Sequence, residues 1–328
     1  MSFPLITRRR FVVAATGYCG LLAAPAWAQE WPAKPLRIIV PFPPGQAADT
    51  IARIIGEGLT TSLGQPVVIE NRPGAGGTLG ADLTAKAAAD GYTLGMAGNA
   101  TMSIAPSLYA KLSYAPLKDF APVTNIAAVP CVYCVNPASP VHGIQDLIAL
   151  AKARPGEIKY GSSGNGSTSH LVQALFAAMA GVDVAHIPYK GSVPSITDLI
   201  GGRITFVAET TPPVLPHVKA GRLRAIGVSS AKRIPFLPDL PSLDEQGVKG
   251  YDVIAWGGLV APAGTPTPIL ERLNREIVKI VNMPEVQQRF NEMAIIPVGN
   301  TREQFAAFLK AELPQWATAV KVSGAKVE

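Results

Sequence analysis

The sequence predicts an α/β protein of two lobes, each built on a parallel or mixed sheet flanked by helices, with a ligand cleft between them. Three observations predict it. Short apolar runs with no polar alternation follow one another at regular intervals, as buried parallel strands do. Segments with helical spacing separate them, which is the rhythm of βαβ units. The series runs twice, on either side of a proline-rich passage, and 328 residues at 48% hydrophobic content suffice for two cores.

In chain order, "LRIIVPF" reads as a strand, followed by a helix at about 47–63, "PVVIEN", a helix near 77–89 and "YTLGMAG". After the proline-rich passage and "VPCVYCVNP" comes a helix at about 144–153. "IKYGSS" and a helix at 167–180 follow, then "VAHIPYK", a helix at 192–200, "ITFVAE", a helix near 212–220 and "LRAIGVSS". The last third is mostly helical. "TPTPILERLNREIVKIVN" places Leu270, Leu273, Ile277 and Val281 on one face. Thr301 and Gln304 form a capping box, and Pro314 is expected to kink or end the final helix.

The N-terminus reads as a targeting segment. Arg8, Arg9 and Arg10 precede the short apolar stretch Val12–Ala24 and an A-x-A site at Ala26–Ala28, so export and cleavage before Gln29 are expected. Both a twin-arginine and a general secretory route fit this segment. The apolar stretch is shorter than the roughly 20 residues needed to span a bilayer. Losing residues 1–28, which hold three arginines and no acid, takes the net charge from +6 to +3. That mild charge, with no basic stripe of interleaved aromatics, argues against nucleic acid. Cys131 and Cys134 form a CxxC within a strand-like run, which puts their side chains on opposite faces and their Cα atoms roughly 10 Å apart, beyond disulfide reach. They read as buried structural thiols.

Three turns between a strand and a helix could hold a ligand. In "VPFPPGQAADTIAR", a strand stops at Pro43-Pro44-Gly45 and a helix begins, leaving free N–H groups that suit an anion, with Asp49 in the first turn. An ordinary strand–helix turn would read the same. "NRPGAGGTLGA" lacks the lysine of a P-loop and the spacing of a dinucleotide loop. "YGSSGNGSTSH" offers hydroxyls, an amide and bare backbone, with Ser167 or Thr168 as N-cap. The first and third, coming from different lobes, could face each other across a cleft. No nucleophile elbow is present, and the four histidines show no metal spacing. His170 beside Ser167 and Ser169 is the one cluster suggesting an exported serine hydrolase, which would also need a base within reach of a hydroxyl.

The ordered motifs "WPAKPLRIIVPFPPG", "LGQPVVIENRPGAGGTLGA", "YGSSGNGSTSHL", "HIPYKGSVPSITDLIGG", "VKAGRLRAIGVSSAKR" and "LVAPAGTPTPILERLN" resemble the Bug-type solute receptors of tripartite tricarboxylate transporters, over nearly the whole mature chain. The resemblance implies a periplasmic binding-protein fold with residues 29–128 plus 251–328 in one lobe and 129–250 in the other. It implies a non-enzymatic, cofactor-free monomer that holds a small organic acid and passes it to membrane permease subunits, or informs a two-component sensor. On the same ground Phe42, Gly45, Gln46 and Ala47 would line one side of the cleft. Ser163, Asn165, Ser167, Thr168 and His170 would line the other, with Tyr189 and Lys190 nearby. Two positions depart from the family pattern. Gln46 stands where glycine is common, and Glu209 where aspartate is usual, with Thr210 for a common asparagine.

Overall fold

The structure is a computed structural model that describes residues 31–326; the export segment read at residues 1–28 lies outside them. β1 (Leu36–Val40) is buried except at Arg37. It leads into α1 (Ala47–Leu63), which turns Ile51, Ile55 and Leu59 inward and stops at Gly64 in the left-handed region. β2 (Val67–Asn71), α2 (Thr78–Ala85) and β3 (Thr93–Gly98) follow. β2 and β3 flank β1 in parallel, with Leu36 opposite Val67 and Arg37 opposite Thr93. A π-helical turn, Asn99–Ile104, and the short α3 (Ala105–Leu108) then lead to β4 (Phe120–Val135).

The second series comprises α4 (Ile144–Ala153), β5 (Lys159–Ser162), α5 (Thr168–Ala180), β6 (Ala185–Pro188), α6 (Ser192–Ile200), β7 (Phe206–Thr210), α7 (Thr211–Lys219) and β8 (Arg224–Val228). The chain returns through β9 (Ile254–Pro262) and finishes with α8 (Thr267–Val281), α9 (Pro284–Glu292), β10 (Ile296–Pro297) and α10 (Arg302–Ser323).

The 16-residue β4 joins the two lobes. Its first part pairs antiparallel with β9, from Phe120 opposite Pro262 to Pro130 opposite Ile254. Its last part pairs with β7 and β8, Cys131 opposite Thr210 and Val132 opposite Val228. The strand order β2-β1-β3-β9-β4-β7-β5-β6 therefore carries two mixed sheets that meet along one strand. Period-2 alternation along β4 sends Cys131 and Tyr133 into one core and Val132 and Cys134 into another, so the two thiols do lie on opposite faces, buried and free.

The helices of the last third pack back across both lobes. α8 buries Leu270, Leu273, Ile277 and Val281 as its periodicity predicts, against α1 and β4. α10 opens with the capping box, Thr301 Oγ1 accepting from the Gln304 amide at 3.2 Å and Gln304 Oε1 from the Thr301 amide at 3.0 Å. Pro314 does not end it; the helix continues to Ser323. Pro314 sits on the exposed side, where water can serve the carbonyl left without an N–H partner. The opposite face is held by burial of Trp316 and Val320 and by the indole of Trp316 donating to Glu312 at 2.9 Å.

Candidate functional site

The interlobe cleft holds a cavity of about 60 Å³. Helix N-termini from both lobes meet in it. α1 contributes its N-cap Gln46 with Ala47 and Ala48, and α5 contributes Ser167 with Thr168 and Ser169. α7 contributes its N-cap Thr210, and the π-helical turn contributes Asn99 and Ala100. The first amides of an α-helix have no partner within the helix, and the aligned peptide dipoles add partial positive charge there. Phe42, Ile51, Met96 and Trp256 supply apolar walls.

Local chemistry fixes each loop. Gly45 has φ 84°, a left-handed backbone that lets the chain turn from Pro44 into α1. Its amide donates to Asp49 Oδ2 at 3.0 Å and is thereby engaged within the loop. Asp49 also accepts from Arg53 and from Asn71, whose amide reaches back to the Phe42 carbonyl at 3.0 Å. Burial alone would raise the Asp49 carboxyl, but the bonds from Arg53, Gly45 and Asn71 outweigh it and hold it below the usual carboxylate range. In the other lobe Ser169 Oγ accepts from the Ser163 amide at 2.9 Å and pairs with Ser163 Oγ at 2.9 Å. Ser167 caps α5 by accepting from the His170 amide at 3.3 Å.

Of the residues expected to bind ligand, Phe42, Gln46, Ala47, Ser163, Ser167, Thr168 and Glu209 line the cavity. Asn165, Tyr189 and Lys190 instead line a wider outer groove of about 650 Å³, which Phe42 and Ser163 share. Gly45 and His170 line neither. His170 Nδ1 accepts from the Gly166 amide at 3.2 Å, which places its proton on Nε2. Its ring stacks on His186 at 4.0 Å, and His186 stacks on Tyr160 at 4.8 Å. Burial lowers the His170 pKa to about 4; for His186, burial and then the neighbouring His170 lower it to about 3. Both are neutral, His170 buried and His186 half-buried, and His170 makes no side-chain bond to Ser167 or Ser169 of the kind a serine nucleophile needs. Among the described residues no group of three or more His, Cys, Asp or Glu could hold a metal ion.

Glu209 is 3% exposed and accepts from Ser192 Oγ at 2.9 Å. Burial raises its pKa, partly offset by the hydroxyls of Ser169 and Ser192. Sequence reasoning did not single out Ser192, Asn99, Met96 or Trp256, and it read Ser169 only as a neighbour of His170. Asn99 follows β3 at another strand-to-helix turn, "AGNA", a signal open to the same logic as the other turns. Trp256 arrives on the returning β9, a juxtaposition with no local sequence mark.

The lobes touch along the outer groove. A Cβ on Gly191 would lie 3.2 Å from Pro43 and 3.3 Å from Gln46 Nε2, and one on Gly76 would lie 2.9 Å from the Asn165 carbonyl oxygen.

Two sheets meeting along one long strand, with helix N-termini converging between them, define a two-lobed periplasmic solute-binding protein. The particular family follows from comparison: the model of the tripartite tricarboxylate transporter family receptor matches residues 51–324, and the chain belongs to that family. It is 40% identical to protein BugT of Bordetella pertussis, over 94% of each chain. It is similar to a solved R. palustris protein with adipate, at 36% identity and TM-score 0.88, over 91% of this chain and all of that one. It is also similar to MatC of Rhodopseudomonas palustris with bound malate, at 30% identity and TM-score 0.84, over 88% of this chain and all of that one.

Proposed function

We propose that the protein captures a small organic acid in the interlobe cleft and presents it to the permease subunits of a tripartite tricarboxylate-type transporter. The observation that carries this reading is the convergence of helix N-termini from both lobes on one cavity whose lining holds no Lys, Arg or His. An anion there gains oriented N–H donors and dipoles, and hydrogen bonds to a charged acceptor are stronger than neutral ones. The named ligands of two relatives, adipate and malate, are carboxylates of the size this reading calls for. Phe42, Gln46, Ala47, Ser163, Ser167 and Thr168 form the inner site, with Tyr189 and Lys190 at the mouth. The protein acts by binding and hinge closure rather than turnover, in the periplasm, after removal of residues 1–28.

A thermal-shift screen of the mature chain against mono-, di- and tricarboxylates tests this. A ligand at a hundred times its dissociation constant stabilises the folded state by about 2.7 kcal/mol. At roughly 2–4 °C per kcal/mol, that is a rise of several degrees. Stabilisation by neutral sugars or phosphate esters and by no carboxylate would refute it.

A further inference from the structure

Two polar atoms of the inner cavity are buried without a hydrogen-bond partner: Gln46 Nε2 and Glu209 Oε1. One is a donor from the first lobe and the other an acceptor from the second. Gln46 is the N-cap of α1, yet its side chain makes no capping bond and turns into the cavity. Its Nε2 lies against Gly191, and the next residue, Ser192, holds the other Glu209 oxygen, Oε2, at 2.9 Å. Ser163 and Ser169, paired with each other at 2.9 Å, stand beside the carboxyl as neutral hydroxyls and bring it no counter-charge. A buried polar group left unpaired costs free energy, and a buried carboxylate with no cation costs more.

We propose that the cleft selects a zwitterion, a small amino acid whose carboxylate meets the helix N-termini and Gln46 Nε2 while its ammonium group meets Glu209 Oε1. The inference rests on the carboxylate-receptor reading and narrows its ligand class. The lining carries one acidic side chain and no basic one. A plain dicarboxylate would place a second anion beside Glu209 and leave Oε1 unpaired. An ammonium group supplies both the missing donor and the missing counter-charge.

Calorimetric titration with two matched sets tests it: succinate, malate and aspartate, and propionate, lactate and alanine, which differ within a set only by H, OH or NH₃⁺ at one carbon. In at least one set the amino member should bind ten-fold or more tighter than both others. Glu209→Gln should erase that preference, Glu209→Asp should keep it, and Gln46→Ala should weaken all members of the set alike. Unsubstituted acids binding as tightly as amino acids would overturn the zwitterion and leave the carboxylate receptor standing, as would a preference that survives Glu209→Gln. Binding of none of the six would count against both readings.

Discussion

Replacing Gly76 by alanine should weaken ligand binding without touching the ligand. Gly76 has φ 63° and ψ 15°, so alanine there pays a left-handed backbone cost of roughly 1–2 kcal/mol in every state of the protein. The added Cβ would also lie 2.9 Å from the Asn165 carbonyl oxygen and 2.9 Å from Tyr109 Oη. Asn165 belongs to the loop before α5 in the other lobe, so that contact exists only while the lobes are together. Overpacking of this kind costs roughly 1–3 kcal/mol. If it falls on the closed state alone, the dissociation constant rises about five- to 150-fold, at ten-fold per 1.4 kcal/mol. Gly64→Ala is the matched control, because Gly64 has φ 68° and ψ 15° and nothing stands within 4 Å of its Cβ position. Melting of the unliganded variants and calorimetric titration with a bound carboxylate separate the two costs. Both variants should lose a few degrees, and only Gly76→Ala should lose affinity. Equal affinity in the two would refute an interlobe contact at Gly76.

Other outcomes follow from the same geometry. Because His170 is lowered to about 4 by burial, it does not affect stability above its ordinary pKa and opposes folding as pH falls from about 6.5 towards 4. That destabilisation amounts to roughly 3 kcal/mol, so His170→Gln should flatten the acid limb of a urea-stability profile over that window. Asp49→Ala frees the Gly45 amide and takes one partner each from Arg53 and Asn71, and should cost about 1–3 kcal/mol at pH 7. Since the Asp49 carboxyl is held low, its contribution is present above its ordinary pKa and is lost as pH falls below the usual carboxylate range; the stability gap between variant and wild type should narrow over that fall in the same urea assay.

The elements that local chemistry specifies were legible in the sequence. The bounds of α1, α4 and α6 could be read from apolar spacing and flanking glycines, and the thiols from their separation along a strand. Of the two effects expected of Pro314, a kink or an end to α10, the end does not occur, because the tertiary packing of Trp316 and Val320 outweighs proline's local penalty. At the site, loop residues next to a strand end were found because the turn itself marks them. Asp49 could be placed in the first turn of α1, but which amide it takes depends on the fold, and it takes that of Gly45. His170 looked chemical beside its serines, yet from α5 its ring stacks on His186 of β6. Trp256 and Ser192 enter the site only through long-range pairing and lobe contact, for which a linear sequence carries no local mark.

The most direct measurement compares a carboxylate with its own primary amide. The two are nearly the same in size and shape, and they differ in the charge offered to the helix N-termini of α1, α5 and α7. Titration of the mature chain with the tightest acid from the screen, and then with that acid's amide, should give heat and saturation for the acid. The amide should bind at least a hundred-fold more weakly. Equal affinity for the two would contradict an anion site at the converging helix ends.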